Sequence, residues 1–286
     1  MDYPLHPDKW REVSVTGPES FLGSALKMGW DPGPAPIATV FTYDPTLTAH
    51  VRAQSDRFRA APNLAGNGSS FAVGPSAAPI WLSCTGVGPS ACTMELENLE
   101  FLGCRRFVSI GIAGALDPAL HIGDLVLLTK ALRDDGLSQH YLEPARYATP
   151  SESLTARLRG ALRASGQEFV EGSTWTTPTP NRATATEVAT YRGEGVRTVE
   201  MEAAALFAVG EARAVEVASA VVVSDEVTPN GMRSDYMSAL PRLLQLLETV
   251  LEMLSAGDEI ETDQTNSSRT IGALSPERGP SFRMRR

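Results

Sequence analysis

Five short apolar runs, at 37–41, 80–84, 107–110, 125–128 and 218–223, constrain the fold of this chain most strongly. They are rich in β-branched residues, and turn formers bound them. Continuous apolarity over so few residues marks strands buried on both faces, because a half-exposed strand would alternate instead. Around them lie stretches of helical character at 46–58, 90–102, 151–165, 199–212 and 234–254. Strands alternating with helices predict an α/β protein: a single domain whose central mixed, twisted β-sheet is flanked by helices on both sides. A chain of 286 residues with 42% hydrophobic content can bury one large core of that kind.

The ends differ from the middle. Residues 1–36 are rich in proline and glycine and read as an irregular lead-in with at most one short helix; residues 37–255 form the α/β domain. Residues 256–286 are polar with few apolar anchors, the composition of a disordered tail. A net charge of −9 argues against a nucleic-acid partner, which requires a basic face. No apolar stretch reaches the roughly 18–20 residues of a membrane span, and the N-terminus lacks the apolar core of a secretion signal. The expectation is a cytoplasmic protein with no membrane partner. Cys84, Cys92 and Cys104 are odd in number and lack a CxxC pair, and the four histidines show no metal-type spacing, so neither a disulfide framework nor a metal site is expected.

Three segments stand out. TGVGPS at 85–90 follows one strand and opens a helix; its glycines allow close backbone approach, and a helix N-terminus offers free N–H groups, so Gly88 is a candidate ligand contact. The same pattern also serves as a plain strand-to-helix turn, and it is neither a nucleotide P-loop nor a dinucleotide fingerprint. SIGIAGA at 109–115 closes another strand with small residues, among them Ala113 and Gly114, at the carboxyl end of the sheet where open α/β folds bind ligands. VEMEAAA at 199–205 carries Glu200, Met201 and Glu202. On a helix already including both, the two glutamates would point roughly 200° apart, at 100° per residue. Alternatively they are the charged first turn of a surface helix.

Taken in order, TGVGPS (85–90), GIAGAL with IGD (111–124), RDDGLSQHY (133–141), TWTT (174–177), VEMEAAALF (199–207) and VSD (223–225) resemble the nucleoside phosphorylase/nucleosidase superfamily. That group includes uridine phosphorylases, purine nucleoside phosphorylases and methylthioadenosine/adenosylhomocysteine nucleosidases. The resemblance runs from about 37 to 254 and is closest in texture to the uridine-phosphorylase-like members. It implies cleavage of the N-glycosidic bond of a nucleoside, by phosphorolysis or hydrolysis, in a homo-oligomer, with no cofactor and inorganic phosphate as a candidate co-substrate. Glu202 would grip the ribose hydroxyls, Met201 would pack on the sugar, and Glu200 would assist. Asp225 would act as the acid at a purine leaving group, which favours purines. Ala113, Gly114 and 173–177, with Thr176 and with Trp175 as a wall or as core, would face the base. His140 and Tyr141 would reach a neighbouring subunit's site. The alternative is a non-catalytic nucleoside-binding or regulatory module of the same fold.

The resemblance breaks where relatives hold phosphate. Their glycine and arginine after the first strand are Tyr43 and Leu47 here, and their arginine and threonine in the central loop are Ser109 and Ile112. The glutamate that hydrolytic relatives carry also falls at Leu47. Asp44 is the nearest carboxylate, in an Asp-Pro pair that commonly caps a turn, and Arg52, Arg57 and Arg59 follow as candidate phosphate contacts.

Overall fold

The computed structural model describes residue 6, residues 8–64 and residues 68–262. Eleven strands and seven α-helices alternate along the described chain: α1 (Pro18–Lys27), β1 (Ala38–Thr42), α2 (Pro45–Ala53), β2 (Arg59–Ala61), β3 (Ser69–Val73), β4 (Ile80–Cys84), α3 (Pro89–Leu102), β5 (Arg106–Ala115), β6 (Leu125–Arg133), β7 (Tyr147–Ala148), α4 (Glu152–Ala164), β8 (Val170–Thr176), α5 (Ala185–Gly193), β9 (Val196–Glu200), α6 (Ala203–Arg213), β10 (Glu216–Thr228), β11 (Gly231–Ser234) and α7 (Tyr236–Thr262). This is a mixed α/β fold with helices on both faces of the sheet.

The sheet runs β11-β10-β6-β8-β9-β5-β1-β4-β3-β2, with β7 on β6. β5 also pairs in parallel with β10 along its whole length, so β5, β10, β6, β8 and β9 close into a ring from which β1, β4, β3 and β2 extend as an open sheet. Twist accumulated over neighbouring strands permits such closure. Every residue of β1 is buried, which explains its unbroken apolar run. One core packs α2, α4 and α7 against one face (Val40, Leu47, Ile110, Leu158, Leu247), and a second packs α3 and α6 against the other (Phe41, Leu96, Phe107, Phe207, Val223).

The apolar-run strands are present, but three are longer than expected, β6 among them, which continues past Leu128 to Arg133. β5 continues past Ile110 to Ala115 and β10 past Val223 to Thr228, because ladder hydrogen bonding does not require bulky side chains. The helix expected at 46–58 stops at Ala53. Asp44 caps it, its Oδ1 accepting from Leu47 N–H at 2.7 Å, and Pro45 supplies a preset first position. The largest correction concerns 199–212: Val199 and Glu200 belong to β9, and α6 begins only at Ala203. Helix-forming residues there are overridden by pairing of β9 to both β8 and β5. The lead-in carries α1, which lies on α3. α7 runs beyond 255 to Thr262; the rest of the expected tail lies outside the described residues.

Gly114 shows why one small residue is required in the ring. A Cβ there would sit 2.6 Å from Val227 Cγ2 and 3.1 Å from Val199 Cγ1. Gly114→Ala should therefore destabilise the protein by about 1–3 kcal/mol through overpacking, measured by urea denaturation; an unchanged midpoint would show that Val227 simply moves aside.

Candidate active site

Glu200 is the last residue of β9 and Glu202 the residue before α6. Neither lies within a helix, so the expected 200° separation does not apply. Glu200 Oε2 accepts from the backbone N–H groups of Glu202 (2.8 Å) and Ala203 (2.7 Å), satisfying donors that α6 would otherwise leave open. Its Oε1 accepts from the hydroxyl of Thr176 at 2.5 Å, and the Thr176 oxygen in turn accepts from Ala204 N–H at 3.0 Å. Thr174 Oγ1 lies 3.5 Å from the same carboxylate oxygen. Alternate residues of a strand share a face, so Thr174 and Thr176 of TWTT turn to Glu200 and the intervening Trp175 turns away. Trp175 is 1% exposed, donates from Nε1 to Asp134 Oδ2 at 2.9 Å and meets Tyr191 edge-on at 4.8 Å. Its place is therefore in the core, the second of the two roles expected for it.

Glu202 is tied to the first motif. Its Oε1 accepts from Gly88 N–H at 2.5 Å. Gly88 precedes α3 with φ +102° and ψ 159°, a conformation suited to glycine, and this aims the N–H at the carboxylate. The glycine expected to meet a ligand thus holds a carboxylate instead. Met201, half-buried, lies between the two glutamates, and its backbone also favours the ionised form of Glu202.

Both carboxylates are buried, and burial pushes both upward in pKa. Glu202 reaches about 8, raised first by burial and then by the Glu200 charge, with the N–H groups of Gly88 and Met201 pulling the other way. Thr176 and two backbone donors restrain the rise at Glu200. No cation is among the groups that shift Glu202. Between pH 4.5 and about 8 the folded protein therefore holds a proton that an unfolded glutamate has released. Stability falls as pH rises through that window, and Glu202→Gln should flatten the slope. Urea midpoints measured across it would test this; parallel slopes in the two proteins would count against a proton held on Glu202.

Tyr43, just after β1, faces the Gly86–Val87 turn that leads to Gly88, the donor to Glu202. Its hydroxyl is 2.8 Å from Ser109 Oγ, and a Cβ on Gly111 would lie 3.2 Å from its ring. Burial, Cys92 and Glu202 hold its phenol well above the ordinary value. Tyr43 also lines a cleft of about 460 Å³ with Pro45, Thr48, Arg52, Cys84 and Gly86; neither Glu202 nor Asp225 lines it. Asp44 is engaged as the α2 cap and also accepts from the Tyr236 hydroxyl at 2.7 Å.

Asp225 lies on β10 beside Gly114, which in turn pairs with Val199 next to Glu200. Ser224 forms a bulge there, and its hydroxyl donates to Asp225 Oδ2 at 2.6 Å. Asp225, half-buried on β10, and Glu200, the last residue of β9, thus lie on strands separated by β5 alone, with Ala113 and Gly114 on that intervening strand. His140 and Tyr141 are not brought to this cluster by any contact within the subunit. His140 Nδ1 is 3.0 Å from Lys9 Nζ, and Tyr141 interacts with Glu97, which is paired with Arg213. From sequence, Thr174 is expected only as part of 173–177, facing the base, and Asp135 has no role of its own. Asp135 is buried, accepts from Leu137 N–H, Ser138 N–H and the Ser138 hydroxyl, and adds negative potential at Glu200. Its Asp-Gly turn signature was the available clue.

Residues 50–252 match the model of the phosphorylase superfamily. The chain belongs to that superfamily. The superfamily match takes in Gly88, Glu200, Glu202 and Asp225 and leaves Tyr43 outside it. Among similar proteins, a uridine phosphorylase of Haemophilus influenzae is 35% identical over 96 residues, covering 34% of this chain and 38% of that enzyme. A uridine phosphorylase of Treponema pallidum is 27% identical over 51% of this chain and 60% of its own length. A guanosine phosphorylase of Halorubrum lacusprofundi is 25% identical over 55% and 66% respectively. The matched stretches therefore span roughly two-fifths to two-thirds of these superfamily members. The superfamily fold is shared with a purine nucleoside phosphorylase of Toxoplasma gondii, solved with immucillin-H, at TM-score 0.69 and 17% identity, over 79% of this chain and 93% of that one. Among the described residues, no helix is long and apolar enough to cross a membrane.

Proposed function

We propose that this chain cleaves the N-glycosidic bond of a nucleoside, purines favoured, and transfers the ribosyl group to an oxygen acceptor. The observation that carries this reading is a pair of buried glutamates with no cation among the groups acting on Glu202. Two acids held out of water without a counter-ion are costly, and such perturbed pairs concentrate at functional sites. A ribose diol donating hydrogen bonds, followed by positive charge developing at C1′, supplies compensation that the protein groups around the pair do not. On this reading Asp225, one strand away from β9 across β5 and hydrogen-bonded by Ser224, supplies the hydrogen bond to N7 of a departing purine. Membership of the superfamily and the uridine and guanosine phosphorylases among its relatives support the reaction class.

The protein acts in the cytoplasm as a homo-oligomer on small nucleosides, without an organic cofactor. Glu200 positions Glu202 by fixing the first turn of α6, and Met201 packs on the sugar. The test is a panel of purine and pyrimidine nucleosides incubated with purified protein while free base is followed. Base release from purine nucleosides supports the reading. Tight nucleoside binding without release would leave a binding module of the same fold, and faster release from uridine than from any purine would overturn the purine preference.

A further inference from the structure

The surroundings of Glu202 specify more than a sugar contact. Tyr43 shares its cleft with Gly86 and Val87, the residues just before Gly88, whose N–H Glu202 accepts, and the Tyr43 phenol, the Cys92 thiol and Glu200 are the neutral or negative groups whose fields meet that of Glu202. Tyr43 is fixed there on two sides, by its hydrogen bond to Ser109 and by ring contact over Gly111, where a Cβ would already crowd it. Leu47 is wholly buried in the core that also receives Ile112. Two of the arginines that follow β1 are engaged elsewhere, and the third, Arg52, lies in a cleft that Glu202 does not line. Arg57 pairs with Glu248 through two hydrogen bonds of 2.7 and 2.6 Å, and Arg59 donates to the Gly74 carbonyl. Arg52 donates to Ser69 Oγ at 3.1 Å and lines the cleft that Tyr43 also lines.

An inorganic phosphate entering beside Glu202 would bring negative charge to two carboxylates and would have to shed its hydration against neutral groups. Removing an anion from water without paired cations is unfavourable. Water incurs neither cost, and hydroxyl groups such as those of Tyr43 and Ser109 can both donate to it and accept from it.

We propose that Tyr43, locked on Ser109, is the acceptor-specificity residue of this site and selects water over phosphate. The inference rests on the reading that the Glu202 and Asp225 cluster cleaves nucleosides. In the balanced step, the C1′–N bond breaks and its electron pair leaves with the base. The water oxygen forms the new C1′–O bond. One water proton ends on the base nitrogen, and the other remains on the sugar hydroxyl.

The experiment incubates the full chain with inosine, guanosine and adenosine, with and without inorganic phosphate, and identifies both base and sugar products. The expected result is base release that changes less than twofold on adding phosphate, with ribose as the sugar product. Release that requires phosphate and yields ribose 1-phosphate would overturn the proposal alone; no release in any arm would overturn the underlying reading and this inference with it. Tyr43→Phe keeps the ring and removes the hydroxyl. It should lower kcat about tenfold with KM for the nucleoside unchanged, the lower end of the effect of losing one positioned proton-transfer or hydrogen-bonding group. An unaltered kcat, or a change confined to KM, would remove the phenol from the acceptor step. Tyr43→Gly combined with Ser109→Arg vacates the ring and adds a guanidinium. This double variant should gain phosphate-stimulated release of tenfold or more, and if it folds yet remains indifferent to phosphate, Tyr43 is not what sets the acceptor. The product analysis of the unaltered chain decides between water and phosphate even if the double variant does not fold.

Discussion

Asp225→Asn lowers the rate of purine nucleoside cleavage by roughly 10²–10⁴-fold, the usual contribution of a positioned general acid, while folding is unaffected. The substitution is nearly isosteric at a half-buried strand end, and an amide can still accept from the Ser224 hydroxyl that now reaches Oδ2 at 2.6 Å. What it cannot do is hand a proton to N7 as electron density arrives on the leaving ring. Activated substrates discriminate this role from a structural one. A nucleoside whose base leaves readily as an anion should lose far less than inosine, whereas a misfolded site would lose both equally. The check is a comparison of kcat for the two substrates alongside the circular dichroism melting curve. An Asn variant with wild-type kcat would retire Asp225 from the chemistry.

Glu202→Gln should cost roughly 10²–10³-fold in kcat/KM for ribosides, the scale of removing one preorganised electrostatic contact to a developing charge. The loss should be smaller for 2′-deoxyribosides, which offer one hydroxyl fewer to the carboxylate. A pH signature accompanies it. Burial and Glu200 raise Glu202 to about 8, so near neutrality the free protein holds this group mainly protonated. An ionised carboxylate grips the diol and the cationic transition state best, so kcat/KM should climb with pH and level off above about 8. In Glu202→Gln that climb should vanish. Glu200 shares the titration, so the apparent value belongs to the pair. A rising limb that persists unchanged in the variant would assign the titration to another group.

The ordinary strands were legible because burial on both faces leaves a mark that local composition can carry: each of 37–41, 80–84, 107–110, 125–128 and 218–223 overlaps an observed strand. Strands lacking that mark were missed. β8 contains a glycine, a serine, a glutamate and two threonines, and β9 mixes Arg197 and Thr198 with valines, so both depend on their neighbours for definition. The site was partly legible for the same reason. Glu202, Gly88, Thr176 and Asp225 stand out as chemistry-bearing residues next to turns, and the order of motifs carries their kinship. Their connections were not legible, because Gly88 and Glu202 are 114 positions apart and Tyr43 and Ser109 are 66 apart.

By itself, then, the sequence determined the class of fold and the family, since these reside in burial periodicity and in short contiguous motifs. Only the tertiary structure decided that β9 ends before α6 begins, that Trp175 belongs to the core, and that the field of Glu202 meets those of a second acid and of Tyr43, which is held on Ser109. Those are outcomes of strand pairing and desolvation, which act between residues far apart along the chain and leave no local imprint on it.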